Sequence, residues 1–288
     1  MTQCLFVSDL HGRRHRYEAL LGVVEAERPG SVLLGGDLLP SGALPLAGGA
    51  SDFLLEWLGP RLEGLRQRLG ASYPRVLVIF GNDDPRGAEP SLAELERRGL
   101  LEHAHRRRLD VGGVPVYGYA CVPPTPFMLK DWERYDVSRF VEPGCVSPEE
   151  GYRSVAAPEG DTKWATIAGD LEALAGGEEV SGAVFLFHAP PYRTALDRAA
   201  LDGKAVEHAP LDVHVGSIAI RRFIEERQPR LTLHGHVHES ARLTGAWRDR
   251  IGRTVCLSAA HDGPELALVR LDMERPEAAA RELLPPTR

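Results

Sequence analysis

His234, His236 and His238 stand at alternate positions in LHGHVHES, residues 233–240, around Gly235. Alternate side chains on an extended strand point the same way, so three imidazoles so spaced can converge on one point. Neutral imidazole is the commonest metal ligand, which makes metal binding the chemistry to test first. A polar edge strand with solvated histidines is the plain alternative, and a lone histidine would favour it. The outcome depends on what else the chain brings to the same place. Asp9 and His11 in SDLHG, Asp37 in GGDLL, Asn82 in FGNDDP and His188 in FHAPP each follow an apolar run. One such aspartate would be read as a turn residue. Five successive run ends offering Asp9, His11, Asp37, Asn82, His188, His236 and His238 form a ligand set. Seven nitrogen and oxygen donors exceed the need of one tetrahedral zinc and suit two divalent ions sharing a carboxylate. With no cysteine donor, manganese, iron, zinc and nickel all suit the set.

The elements that must position these residues are short apolar runs: 4–8, 31–36, 75–81, 183–188 and 230–235, with 254–259 and 266–271 later. Continuous apolar runs suit strands covered on both faces. Helical periodicity falls at about 15–28, 51–69, 91–98, 160–175 and 216–227. The alternation reads as a layered α/β fold, in which ligands collect at the carboxyl ends of strands. The last two runs have no helix between them and read as a meander, so the sheet arrangement is mixed. Residues 119–160 break the rhythm. They are rich in proline and carry Phe127, Trp132, Tyr135 and Phe140, which argues for an ordered cap or flap over the site, a dimerisation element being the alternative.

Composition narrows the function. The chain has 288 residues, 43% of them hydrophobic, and a net charge of −7, which argues against long nucleic acids and anionic membranes as partners. Cys4, Cys121, Cys145 and Cys256 show no paired spacing, which reads as reduced thiols. The N-terminus enters a strand-like run at once, without a signal-peptide pattern, and no stretch reaches the length of a membrane span. A cytoplasmic protein is expected. Oligomeric state is left open, a homodimer included.

In their order the motifs resemble those of the calcineurin-like metallophosphoesterases: DxH, GD, GN followed by His or another residue and an acid, a lone His, and GHxH. Here they read Asp9-Leu10-His11, Gly36-Asp37, Gly81-Asn82-Asp83-Asp84, His188 and Gly235-His236-Val237-His238. The resemblance spans nearly the whole chain, and HAPPYRTALD with HVGSIAIRRFIEERQPRLTLHGHVHES is similar to a bacterial and archaeal branch. It implies one domain over 1–288, an α/β four-layer αββα sandwich of two mixed β-sheets flanked by helices, with the site at its apex. It implies that Asp9, His11 and His238 hold one metal, Asn82, His188 and His236 a second, and that Asp37 bridges them. His234 matches no ligand and reads as a supporting residue.

The implied function is a metal-dependent phosphoesterase acting on a small phosphorylated substrate, a phosphodiester or small nucleotide, by attack of a metal-bridging hydroxide. A nuclease is the alternative within the enzymes, and a non-catalytic scaffold, like the retromer subunit of this fold, the alternative outside them. Asp37, Asn82, Asp83 and His261 are the catalytic candidates. Asp83 departs from the pattern, because many members carry there a histidine that contacts phosphate and is assigned the protonation of the leaving group. A carboxylate beside two cations is a poor proton donor at neutral pH. The reading favours Asp83 turned away or bonded to a ligand histidine, with His261, His208 or His214 as replacement acids. Arg13 and Arg14 could touch phosphate, although a solvated helix start is the simpler reading.

Overall fold

A computed structural model describes residues 3–41 and 52–286. In chain order its strands are β1 (Gln3–Val7), β2 (Ser31–Gly35), β3 (Arg75–Ile79), β4 (Glu102–His103), β5 (Arg108–Val111), β6 (Val114–Tyr119) and β7 (Val184–Phe187). There follow β8 (Ala205–Val206), β9 (Ala209–Pro210), β10 (Leu231–His234), β11 (Arg248–Ile251), β12 (Thr254–Ser258), β13 (Leu266–Asp272) and β14 (Ala280–Leu284). The α-helices are α1 (Arg14–Glu27), α2 (Gly59–Leu69), α3 (Glu89–Arg97), α4 (Glu159–Lys163), α5 (Ile167–Ala175), α6 (Ile218–Arg227) and α7 (Ser240–Thr244).

Two six-stranded sheets result, ordered β14-β13-β1-β2-β3-β4 and β11-β12-β10-β7-β6-β5. Both are mixed. β1 to β4 are mutually parallel; β13 runs antiparallel to β1, and β14 antiparallel to β13. β12, β10, β7 and β6 are likewise parallel, flanked by antiparallel β11 and β5. Phe6, Leu33 and Leu77 share one cross-strand row and have no exposed surface, as strands covered on both faces require. β2 packs on β7 and β3 on β6, which sets the sheets face to face. Tyr17 of α1 contacts Phe53 and Trp57 in one outer layer, while Phe223 of α6 lies 4.9 Å from Phe185 in the other. This is the expected four-layer sandwich.

Three local readings change. The runs at 254–259 and 266–271 are not one meander: β12 lies parallel to β10, whereas β13 crosses to the other sheet beside β1. The helix at 160–175 divides at Thr166, whose extended backbone lets its hydroxyl accept from Gly169 N and cap α5. In the helix at 51–69, position 51 lies outside the described residues and Phe53–Leu58 forms a π-turn. Pro60 has no N–H to donate one turn back, which loosens the register ahead of α2. Residues 119–160 are ordered around a buried Trp132 and a buried Lys130–Glu133 ion pair of 2.6 Å. No helix among the described residues is long and apolar enough to cross a membrane.

Candidate metal centre

Parallel strands carry their polar ends to one edge of the sandwich. Asp9, Asp37 and Asn82 follow β1, β2 and β3 in one sheet; His188, His236 and His238 follow β7 and β10 in the other. The chain turns sharply at each end. Asp9, His11, Asp37 and His236 have φ of 58°, 48°, 52° and 73°, a left-handed backbone tolerated best by Gly, Asn, Asp and His. Backbone held in this region clusters at functional sites because the surrounding fold must enforce it. Two glycines are required by closeness. A Cβ at Gly81 would strike Asp37 and His188, and one at Gly235 would strike Ser8 and Asp9.

The side chains are aimed by hydrogen bonds. His188 Nδ1–H donates to Gly35 O at 2.7 Å, which fixes the tautomer and leaves Nε2 facing Asp37 Oδ2 at 3.3 Å. Asp37 Oδ1 accepts from Asp83 N at 2.9 Å, and Asp37 Oδ2 also lies 3.9 Å from His11 Nε2. The carboxylate thus sits between His188 and His11. His11 Nε2 and His238 Nε2 are 3.1 Å apart, and His238 Nε2 is 3.2 Å from Asp9 Oδ1, which also accepts from His236 N. Ligating atoms of Asp9, His11, Asp37 and His238 all lie within 4.8 Å of one another, a spacing fit for a metal ion. His188 and His236 stand beside them with ring centroids 5.2 Å apart.

The donor set fits divalent cations. Asp9 Oδ2, Asn82 Oδ1 and His188 Nε2 are buried without a hydrogen-bond partner, although burying such atoms unpaired is costly. Electrostatics agree. Burial would raise the Asp9 pKa, but the His238 hydrogen bond and three histidine charges hold it well below the carboxylate range. Burial opposes charge on His188, and Asp37 and Asp9 overcome it, raising its pKa to about 10. Burial keeps His236 neutral, its pKa lowered to about 3. The protein atoms alone balance two buried carboxylates with protons on histidine; a cation bound there would take over that balance in place of the protons.

Asp83 does not turn away. It lines the cavity beside the site, with Oδ2 3.5 Å from His11 Nδ1. Burial and the charge of Asp37 raise its pKa when the protein atoms act alone. The neighbouring Asp84 has no exposed surface and accepts from Leu38 N, Leu39 N and Gly81 N, tying two of the loops together. Sequence reading passed over Asp84, and also Arg16, a buried guanidinium that donates to Asp9 O and Gly263 O and joins β1 to the loop before β13. The doubled acid of GNDD was a signal for the first; nothing local marks the second.

His234 is a core residue, bonded to Ala189 O and Thr232 Oγ1, and burial lowers its pKa to about 4. His261 Nε2 pairs with Glu265 at 2.9 Å, and neither it nor the exposed His208 is among the cavity-lining residues, whereas His214 is. Arg13 and Arg14 are exposed and line no part of it. The cavity holds about 470 Å³ and reaches Asp37, Asn82, Asp83, His236 and His238. Residues 123–127 and 136–145 line it, so 119–160 does border the site. Of the aromatics in 119–160, Phe127 and Phe140 line the cavity, beside Tyr192 from the other wall, and Trp132 and Tyr135 do not; Trp132 is core and the Tyr135 hydroxyl donates to Glu149.

No match was found among curated proteins. Two solved structures cover the chain almost end to end. TT1561 of Thermus thermophilus is 16% identical with a TM-score of 0.56, 98% of each chain being covered. A second structure is 17% identical with a TM-score of 0.58, covering 99% of each. At that identity both speak for the fold alone. Residues 3–240 match the family model for calcineurin-like phosphoesterases. The chain therefore belongs to the calcineurin-like phosphoesterase family and is a metal-dependent hydrolase of phosphoesters.

Proposed function

We propose that the protein is a phosphodiesterase that uses two divalent ions on a phosphodiester or small nucleotide. The observation that carries the reading is the trio Asp9 Oδ2, Asn82 Oδ1 and His188 Nε2, buried without a hydrogen-bond partner beside a 470 Å³ cavity that Asp37, Asn82, His236 and His238 line. Asp9, His11 and His238 would hold one ion, Asn82, His188 and His236 the other, and Asp37, lying between His11 and His188, would serve both. Bound divalent ions of this kind neutralise phosphoryl charge and acidify a water.

The chain's own residues prepare that chemistry. Gly35 O orients His188, Asp83 N holds one oxygen of Asp37, and His236 N holds one oxygen of Asp9, so the second oxygens stay available. Residues 119–160 act as a cap that borders the substrate. Manganese, iron, zinc and nickel all suit the nitrogen and oxygen donors. Three buried cysteines and one partly buried, all unpaired, support a reducing cytoplasmic setting. A nuclease is disfavoured because, among the described residues, no Lys or Arg lines the cavity.

The test is a panel of phosphomonoesters, phosphodiesters, cyclic nucleotides and oligonucleotides assayed with manganese, iron, zinc or nickel added to metal-stripped protein. Metal-dependent turnover of small diesters, above that of monoesters and oligonucleotides, is the expected result. Turnover of monoesters alone would overturn it.

A further inference from the structure

The cavity beside the metal centre has a character that a nucleotide does not need. Two separate loops wall it: residues 123–145, and residues 192–218 after β7. The walls are largely prolines and aliphatic side chains, among them Leu201, Leu211, Val215 and Ile218. Phe127 and Phe140 stand at its edge and are 59% and 66% exposed. Large apolar side chains left in water beside a cavity mark a binding surface. A cavity of this volume is in the range that takes one small ligand.

Its charge is equally selective. Among the described residues none that lines it is Lys or Arg, and the sequence of 42–51, outside the described residues, also has neither. Three of the acids on the walls serve their own chain. Asp136 accepts from Ser217 Oγ and Ile218 N, Asp212 from Tyr192 OH, and Glu239 from Ala200 N. A polyanion entering here meets carboxylates and no counter-charge outside the metal centre, and like charge at close quarters costs several kcal/mol.

We propose that the cavity receives an apolar, uncharged ester group of a phosphodiester bearing a single negative charge, in preference to a nucleoside. This rests on the phosphodiesterase reading, and two kinds of measurement keep them apart. Alkyl para-nitrophenyl phosphodiesters share one leaving group, so the alkyl chain alone varies. With the manganese-loaded protein, kcat/KM should rise roughly threefold to fourfold per methylene from methyl through butyl until the cavity fills. The octyl ester should exceed the para-nitrophenyl ester of thymidine monophosphate at least tenfold. Phe127→Ser with Phe140→Ser should flatten the rise, and both positions are exposed enough to leave the fold intact. Calorimetry with methyl(octyl)phosphinate, a monoanion with two P–C bonds and no ester to hydrolyse, should give a Kd at least tenfold below that of dimethylphosphinate.

A methyl ester turned over with no chain-length dependence overturns this proposal and leaves the phosphodiesterase reading standing. No ester turned over, with the octyl phosphinate still bound tenfold tighter, does the opposite. Preference for the thymidine ester overturns the proposal. So does a dimer, seen by sedimentation, that the double variant splits while alkyl length has no effect, since the aromatics would then join two copies.

Discussion

His214 Nδ1 lies 2.8 Å from Asp197 Oδ1, and the same imidazole lines the cavity that Asp83, His236 and His238 reach. Asp197 has no exposed surface and accepts from the backbone N–H of Arg193, Thr194 and Gly216. So firm a carboxylate fixes the ring with its Nδ1 proton inward and its Nε2 outward. Of the histidines considered as replacement acids, His214 alone combines an orienting carboxylate with a place on the cavity wall.

We expect His214→Ala to slow alkyl phosphodiesters by about 10²-fold or more while hardly changing para-nitrophenyl esters, whose leaving group needs no proton. Asp83→His in that background should restore part of the alkyl rate, since it returns a histidine to the position other family members use. Initial rates over a leaving-group series check both. Equal losses on every ester, or the alkyl-specific loss appearing in His261→Ala instead, would return the role to His261.

Asp37 touches both halves of the site, so its loss should empty the centre. Elemental analysis after manganese loading should fall from about two ions per chain to fewer than one in Asp37→Ala, in line with two cations sharing one carboxylate. Gly81→Ala should do the same without removing any donor, because its methyl group displaces Asp37 and His188. Retention of both ions in Asp37→Ala would sink the bridged arrangement.

Lys130 and Glu133 are wholly buried, 2.6 Å apart, and Glu133 also accepts from Thr125 N at the cavity's edge. Burial pushes the Glu133 pKa up to about 7 even against Lys130. Lys130→Met strands that carboxyl and should cost about 3–5 kcal/mol, with most of it recovered in Lys130→Met/Glu133→Leu. The sign with pH is set by the raised value. The folded state keeps a proton that the unfolded state releases above about 4.5, so the single variant's Tm should fall as pH rises through 7. A Tm independent of pH in that variant would show that the carboxyl escapes to water.

A surface pair gives the opposite sign. The hydrogen bonds from Arg270 outweigh partial burial and hold Glu27 below its ordinary range. Its contribution is present above about pH 4.5 and is lost as pH falls through the lower folded-state value. Acid unfolding of Arg270→Leu should therefore begin at higher pH than in the native protein. Titration by circular dichroism decides it, and coincident curves would mean that the pair is fully screened.

Much of this was legible in the chain because period and punctuation agree. Seven apolar runs became strands within two residues of their expected ends, and five of them stop just before the polar residues they deliver. β6 was not legible, although it pairs with β7 inside the second sheet, because Pro115 and Gly118 read as breakers. Pro115 is tolerated near the strand's start, facing Asp110 of the sheet-edge strand β5. Gly118 is needed because the backbone of Ala104 leaves no room for a side chain. The cavity was the hardest part to foresee. Its walls meet from segments some 70 residues apart, and nothing in either marks Phe140 as lining and Trp132 as core.

The two walls have a consequence for how such an enzyme diversifies. Every proposed ligand sits at the end of a strand in the two main sheets, whereas residues 123–145 and 192–218 are connections between those strands. Connections accept insertions and replacements that strands do not. Lineages can therefore exchange either loop and acquire a new substrate range while inheriting the catalytic apparatus unchanged. Among relatives of this chain, divergence in these two loops, set against constancy at the strand ends, is the record such a history would leave.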